Sequence, residues 1–141
     1  NLSGQYLEQA VLAVTLMDGA TATITVSDLP AEKSVTVFSA DNQPYDECAT
    51  ISAEAAFLDA SIPDVLSVSV EGLTVTVTND SSEALSNIDV YCRDILGESY
   101  FGGTVYKHTI NELPAGQTAT VDVTDSMVGM IEVVRIAINK S

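Results

Sequence analysis

The sequence predicts an all-β chain made of two small antiparallel sandwich units, and three observations predict it. Short runs alternate strictly between apolar and polar residues, as in Leu66–Val70 and Leu73–Thr78. Turn signals such as Asp18-Gly19, Leu29-Pro30, Glu71-Gly72 and Leu113-Pro114 separate these runs at spacings too short for helices. The third observation is an internal repeat. Asn1, Ser3 and Leu7 recur as Asn79, Ser81 and Leu85, 78 positions on, and Leu29-Pro30-Ala31 recurs as Leu113-Pro114-Ala115, 84 positions on. The six-residue difference places a longer loop around Leu96–Gly103 in the second copy. The first copy has no counterpart of the hairpin Leu66–Thr78. Either that hairpin was removed upstream, or the second copy supplies edge strands to both. The repeat divides the chain into residues 1–60, an incomplete unit, and 61–141; the alternative is one larger β-sandwich.

Taken in order, Asn1–Gln9 is polar, with Leu2, Tyr6 and Leu7 as anchors. Val11–Val26 reads as a half-buried hairpin. A three-residue loop, Asp18-Gly19-Ala20, pairs position 16 with 22, 14 with 24 and 12 with 26, which gathers the apolar partners on one face. Leu29–Lys33 breaks the pattern, and Ser34–Phe38 resumes it with Val35 and Val37 inward. Asp41–Pro44 is a turn cluster. Glu47–Ala53 is a strand. Ser52–Ala60 fits either a short helix capped by Ser52 or a continued strand. Asp59–Asp64 is the linker. A turn at Glu71-Gly72 pairs 70 with 73, 68 with 75 and 66 with 77. After a polar loop, Ile88, Val90 and Cys92 point inward and Asp89, Tyr91 and Arg93 outward. Gly97 and Gly102-Gly103 bracket Tyr100-Phe101 at a sheet corner, and strands follow at Val105–Ile110, Ala119–Val123 and Val133–Ile138.

Composition narrows the function. The chain has 141 residues, 46% of them hydrophobic, which is enough for a packed core. Five Lys and Arg against twenty Asp and Glu give a net charge of −15. That balance argues against nucleic acid and against an anionic membrane surface, both of which require a basic footprint. Solubility is the ordinary use of such acidity. No apolar run approaches 18 residues, so no membrane insertion is expected of this stretch. The start at Asn1, with no initiator Met and no signal segment, reads as a mature or trimmed piece.

Residues that could carry chemistry are few. His108 is the lone His and has no nucleophile or orienting partner at a useful spacing; it reads as a surface strand residue. No Gly-x-Ser-x-Gly elbow and no Gly-rich phosphate loop is present, so no catalytic residue, metal ligand or cofactor is assigned. Cys48 and Cys92 fit one disulfide or two free thiols equally well. Asp59 and Asp64 at the linker, with Asp41, Asp46 and Asp125 in turns, are the best oxygen donors for calcium, but they lack a calcium-loop spacing and also suit ordinary turns. Tyr91, Tyr100, Phe101 and Tyr106 cluster in sequence and are the candidate contacts for a protein or glycan partner; burial tendencies favour core packing for them instead.

One resemblance adds to this. Leu73–Ile138 resembles the FxLYD-type immunoglobulin-like β-sandwich modules of secreted and lipid-anchored bacterial proteins. The resembling residues are the strand end Val75–Ser81, the strand Ile88–Gly97, Phe101-Gly102-Gly103 and the turn Leu113–Gln117. The family's Asp and Gly recur as Asp94 and Gly97, while its Leu-Tyr pair does not. The first 53 residues share the pattern only weakly. The resemblance implies an immunoglobulin-like fold, no catalytic residues, and an extracellular or cell-envelope setting. The expected role is a non-enzymatic structural or protein-interaction module. The alternative is an accessory domain that binds carbohydrate or makes a calcium-dependent contact.

Overall fold

The computed structural model describes residues 1–37, 48–59, 61–96, 99–101, 105–123 and 130–139, the side chains of Cys48, Leu96 and Phe101 excepted. All regular structure among them is β. The strands are β1 (Tyr6–Leu16), β2 (Thr21–Leu29), β3 (Ser34–Thr36), β4 (Cys48–Leu58), β5 (Leu66–Glu71), β6 (Thr74–Asn79), β7 (Leu85–Leu96), β8 (Ser99–Phe101), β9 (Tyr106–Leu113), β10 (Thr118–Asp122) and β11 (Ile131–Ile138). The stretch open to a helix or a strand, Ser52–Ala60, continues β4 as far as Leu58.

Strand pairing, antiparallel except between β3 and β8, builds three sheets. One has the order β2-β1-β4 and a second β10-β6-β5. The third runs β11-β7-β8-β3, with β9 also paired to β7. In the second half of the chain the sheet containing β6 packs on the sheet containing β7. Between them lies a core of Leu66, Val75, Val77, Ile88, Val90, Cys92, Leu113, Val123, Ile131 and Ile136. The alternation of β6, TVTVTN, puts Val75 and Val77 on this inner side, and both are fully buried. A second core joins Tyr6, Leu7, Ala10, Val26 and Leu29 to Tyr100 and Val134 from the other half. One sheet also crosses the expected 60/61 division: β3 of the first half pairs in parallel with β8 of the second. The expected linker is also bound down, since the Ile136 amide donates to Ser61 O at 2.8 Å and Ile62 packs on the first-named core.

Glycine sets both hairpin registers, and each differs from the expected one. In β1–β2 the pairs are Leu12 with Ile24 and Val14 with Ala22, so the three-residue loop is Met17-Asp18-Gly19, not Asp18-Gly19-Ala20. The Leu16 amide donates to Ala20 O at 2.8 Å across it. The third loop position is left-handed, and Gly19 takes it with φ 87°. In β5–β6 the pairs are Val70 with Val75 and Val68 with Val77 around a Gly72-Leu73 turn. Gly72, at φ 61°, is the first residue of that turn instead of the second. Both slips are by an even number of residues in sum, so every apolar side chain keeps its face.

Candidate functional site

The sequence repeat is a geometric repeat. Asn79, fully buried at the end of β6, donates through Nδ2 to Glu83 O at 2.7 Å and to Leu113 O at 3.0 Å; its Oδ1 accepts from the Ser81 amide at 3.0 Å and the Ser81 hydroxyl at 2.7 Å. Asn1 makes the same set, to Gln5 O at 2.7 Å, Leu29 O at 3.0 Å, the Ser3 amide at 3.1 Å and the Ser3 hydroxyl at 2.6 Å. Each Asn thus staples the start of one long strand to the end of its hairpin partner. The main-chain bonds match too: Gly116 N to Asn79 O and Glu32 N to Asn1 O are both 2.9 Å. Hairpin registers follow, since Ala10 with Val26 and Leu12 with Ile24 in the first half become Ile88 with Ile110 and Val90 with His108 in the second.

Where the halves meet lies a buried polar cluster. Asp28, next to last in β2, has φ 52°, and its Oδ1 accepts from the Tyr6 hydroxyl at 2.7 Å. The Nε of Arg135, on β11, lies 2.7 Å from the same oxygen as an ion pair, not an aligned hydrogen bond. The Arg135 guanidinium also stacks over the Tyr91 ring, 4.1 Å from its centre. Beside it Arg93, 1% exposed, donates to Ser27 O at 3.0 Å and sits 5.2 Å from the centre of the Tyr100 ring. The Tyr100 hydroxyl donates to Glu132 at 2.8 Å. Burial raises the Tyr6 and Tyr100 phenols well above the usual range, each helped by its carboxylate partner, and burial also lowers the Arg93 guanidinium.

These contacts correct the expected facing of β7. Arg93 is buried and Tyr91 half-buried, because the first half covers that face. Tyr100 is fully buried, Tyr91 lies half-buried under Arg135, and Tyr106 packs half-buried on the second-half core. They do not form an exposed aromatic patch; the Phe101 side chain lies outside the described residues. Asp89, also expected outward, is 7% exposed, held by Thr109 at 2.6 Å, Asn139 at 2.9 Å and Lys107 at 3.3 Å. These partners, Thr109 first, lower its carboxyl below the usual range.

Cys92 is a free thiol that burial raises to about 11. The side chain of Cys48, the other half of the expected disulfide alternative, lies outside the described residues. His108 is half-buried in β9, on the face it shares with Tyr106 and Ile110. Among the described residues no three His, Cys, Asp or Glu side chains gather as metal ligands; Asp41, Asp46 and Asp125 lie outside them. An open groove of about 500 Å³ runs between the first half and the linker, lined by Gln5, Tyr6, Pro30, Asp59, Ser61 and Ile62 among others. The junction cluster and this groove were not legible as sites in the sequence: Asp28 and Arg135 are far apart in the chain, and no spacing links them. No helix is long and apolar enough to cross a membrane among the described residues. No protein-family model, curated protein or solved structure matches the chain.

Proposed function

We propose that the chain is a non-enzymatic structural or protein-interaction module of a bacterial secreted or envelope protein, with its two halves acting as one stiff spacer of FxLYD-like, immunoglobulin-like units. The observation that supports this reading is the Asp28–Arg135–Tyr6 contact, which fastens β2 and β1 to β11 away from water. A pair of charges buried at a junction fixes one mutual orientation, because any other leaves a desolvated ion without its partner. Single-molecule pulling from the two ends tests the spacer: one cooperative rupture is expected, and two independent ruptures of native protein would end the reading. Cell fractionation of the source organism tests the setting, which a purely cytosolic protein would overturn.

A second reading, an accessory binding domain, is favoured by the groove beside Asp59. A glycan and peptide array tests it, with binding expected to disappear when Asp59→Arg blocks the groove and to survive Tyr106→Ala outside it.

A further inference from the structure

The second half is a template for what the first half leaves uncovered. Under the repeat, Ala10, Leu12 and Val14 of β1 stand where Ile88, Val90 and Cys92 stand in β7. Those three β7 residues are fully buried in one cluster with Leu66, Val75 and Val77 of the β5–β6 hairpin. In the first half Leu12 and Val14 are only half-buried. On the neighbouring β4, Ile51 pairs with Val14 and Ala53 with Leu12, so they share that face, and Ile51 is 61% exposed. Ala53 is exposed where its repeat equivalent Ile136, the partner of Val90, is buried.

Two further details say what fits there. The Asn1 amino group donates to Lys33 O at 2.8 Å, as the Asn79 amide donates to Gln117 O at 2.9 Å, the bond that ends the β6–β10 ladder. The backbone at Asn1 is therefore placed as the end of a strand running along β3. The cover actually present is β8, whose Tyr100 lies opposite Val35 as Val77 lies opposite Ala119. It is only three residues long and runs parallel to its partner, whereas β6 is antiparallel.

We infer that the Leu12–Val14 end of this face of the β2-β1-β4 sheet is the seat of a β-hairpin of the Leu66–Thr78 kind, whose second strand leads directly into Asn1 and takes the place of β8 beside β3. Its recognition chemistry is alternation: β-branched side chains against Leu12, Val14, Ile51 and Ala53, Thr or Ser outward, and main-chain bonds along β3. A second copy of the chain is the weaker occupant. Its own hairpin already covers its own core, and two chains each of charge −15 repel.

The test copies Val65–Thr78 directly ahead of Asn1 in the full chain. A control carries proline in place of the valines copied from Val75 and Val77. The expected result is a monomer by light scattering, with Tm raised by roughly 5 °C or more over the control, slower amide exchange at Val35 and lost binding of a hydrophobic dye. Equal Tm, exchange and dye binding in fusion and control would overturn the inference. So would an unfused chain that is already a dimer with these groups protected, which would assign the seat to a second copy. If the fusion aggregates, a Val65–Asn79 peptide is added in trans to the unfused chain. Saturable protection of the Val35 amide supports the seat, and no protection at any peptide concentration overturns it.

Discussion

Arg135 holds its Nε 2.7 Å from Oδ1 of Asp28, so the last strand of the chain is tied by charge to the second. Both side chains are largely withdrawn from water, and removing one partner strands the other. Asp28→Ala is expected to cost about 3 kcal/mol in urea denaturation at pH 7. The double replacement Asp28→Asn with Arg135→Met is expected to cost less than Asp28→Ala alone, because the Arg135 charge is removed together with its partner. Equal losses would show that the pair does not couple the halves.

Asn79 and Asn1 make matching bonds in unlike surroundings, the first fully buried and the second half-buried. Asn79→Ala leaves the carbonyl of Leu113 and the amide of Ser81 without their partner. We expect a loss of about 2 kcal/mol, against no more than about 1 kcal/mol for Asn1→Ala, where water replaces the side chain. Chemical denaturation of the two variants side by side checks the order.

The repeat also marks a strained position. Pro114-Ala115-Gly116-Gln117 closes with Gln117 N to Pro114 O at 3.1 Å and Gly116 at φ 67°. The matching turn Pro30–Lys33 puts Glu32 at φ 59°, a backbone that disfavours a side chain. Glu32→Gly is therefore expected to stabilise the protein by up to about 1 kcal/mol, visible as a higher Tm. A fall in Tm would mean that the Glu32 side chain contributes more than its backbone costs.

Asp89 gives stability a dependence on acid. Its folded carboxyl titrates below the unfolded one, so the native state binds fewer protons, and its contribution is present above the ordinary carboxylate range. That contribution is lost as pH falls through the folded value. Asp89→Asn is expected to lower Tm at pH 7 and to flatten the decline of Tm between about pH 5 and pH 2. An unchanged slope would refute the assignment.

Cys92, a protonated thiol in the core up to about pH 11, is expected to stay unreactive to a water-soluble thiol reagent in native buffer. It should react at once in denaturant. Fast native reaction at Cys92, located by peptide mapping, would contradict its burial.

Much of this fold is local and was readable. Alternation marks β5, β6 and β7 because half-buried strands must place apolar groups on every second residue, and the repeat of Asn1 and Leu29 at Asn79 and Leu113 survives as matching hydrogen bonds. Gly19 and Gly72 announced turns, but not their register, because a glycine shows that φ is positive somewhere nearby without saying at which turn position. The facing of Arg93 and Tyr91 was misread for a different reason: alternation says which residues share a face, not what lies against it.

By itself, then, the sequence determined an all-β, acidic chain, since charge, alternation and turn residues act over a few neighbours. Only the tertiary structure decided that Tyr100 leaves its own half to pack opposite Val35, that Arg93 and Arg135 are drawn to β2, and that Ile51 and Ala53 stay exposed beside Leu12 and Val14. Those outcomes depend on which distant surfaces exclude water together, and separation along the chain does not encode that.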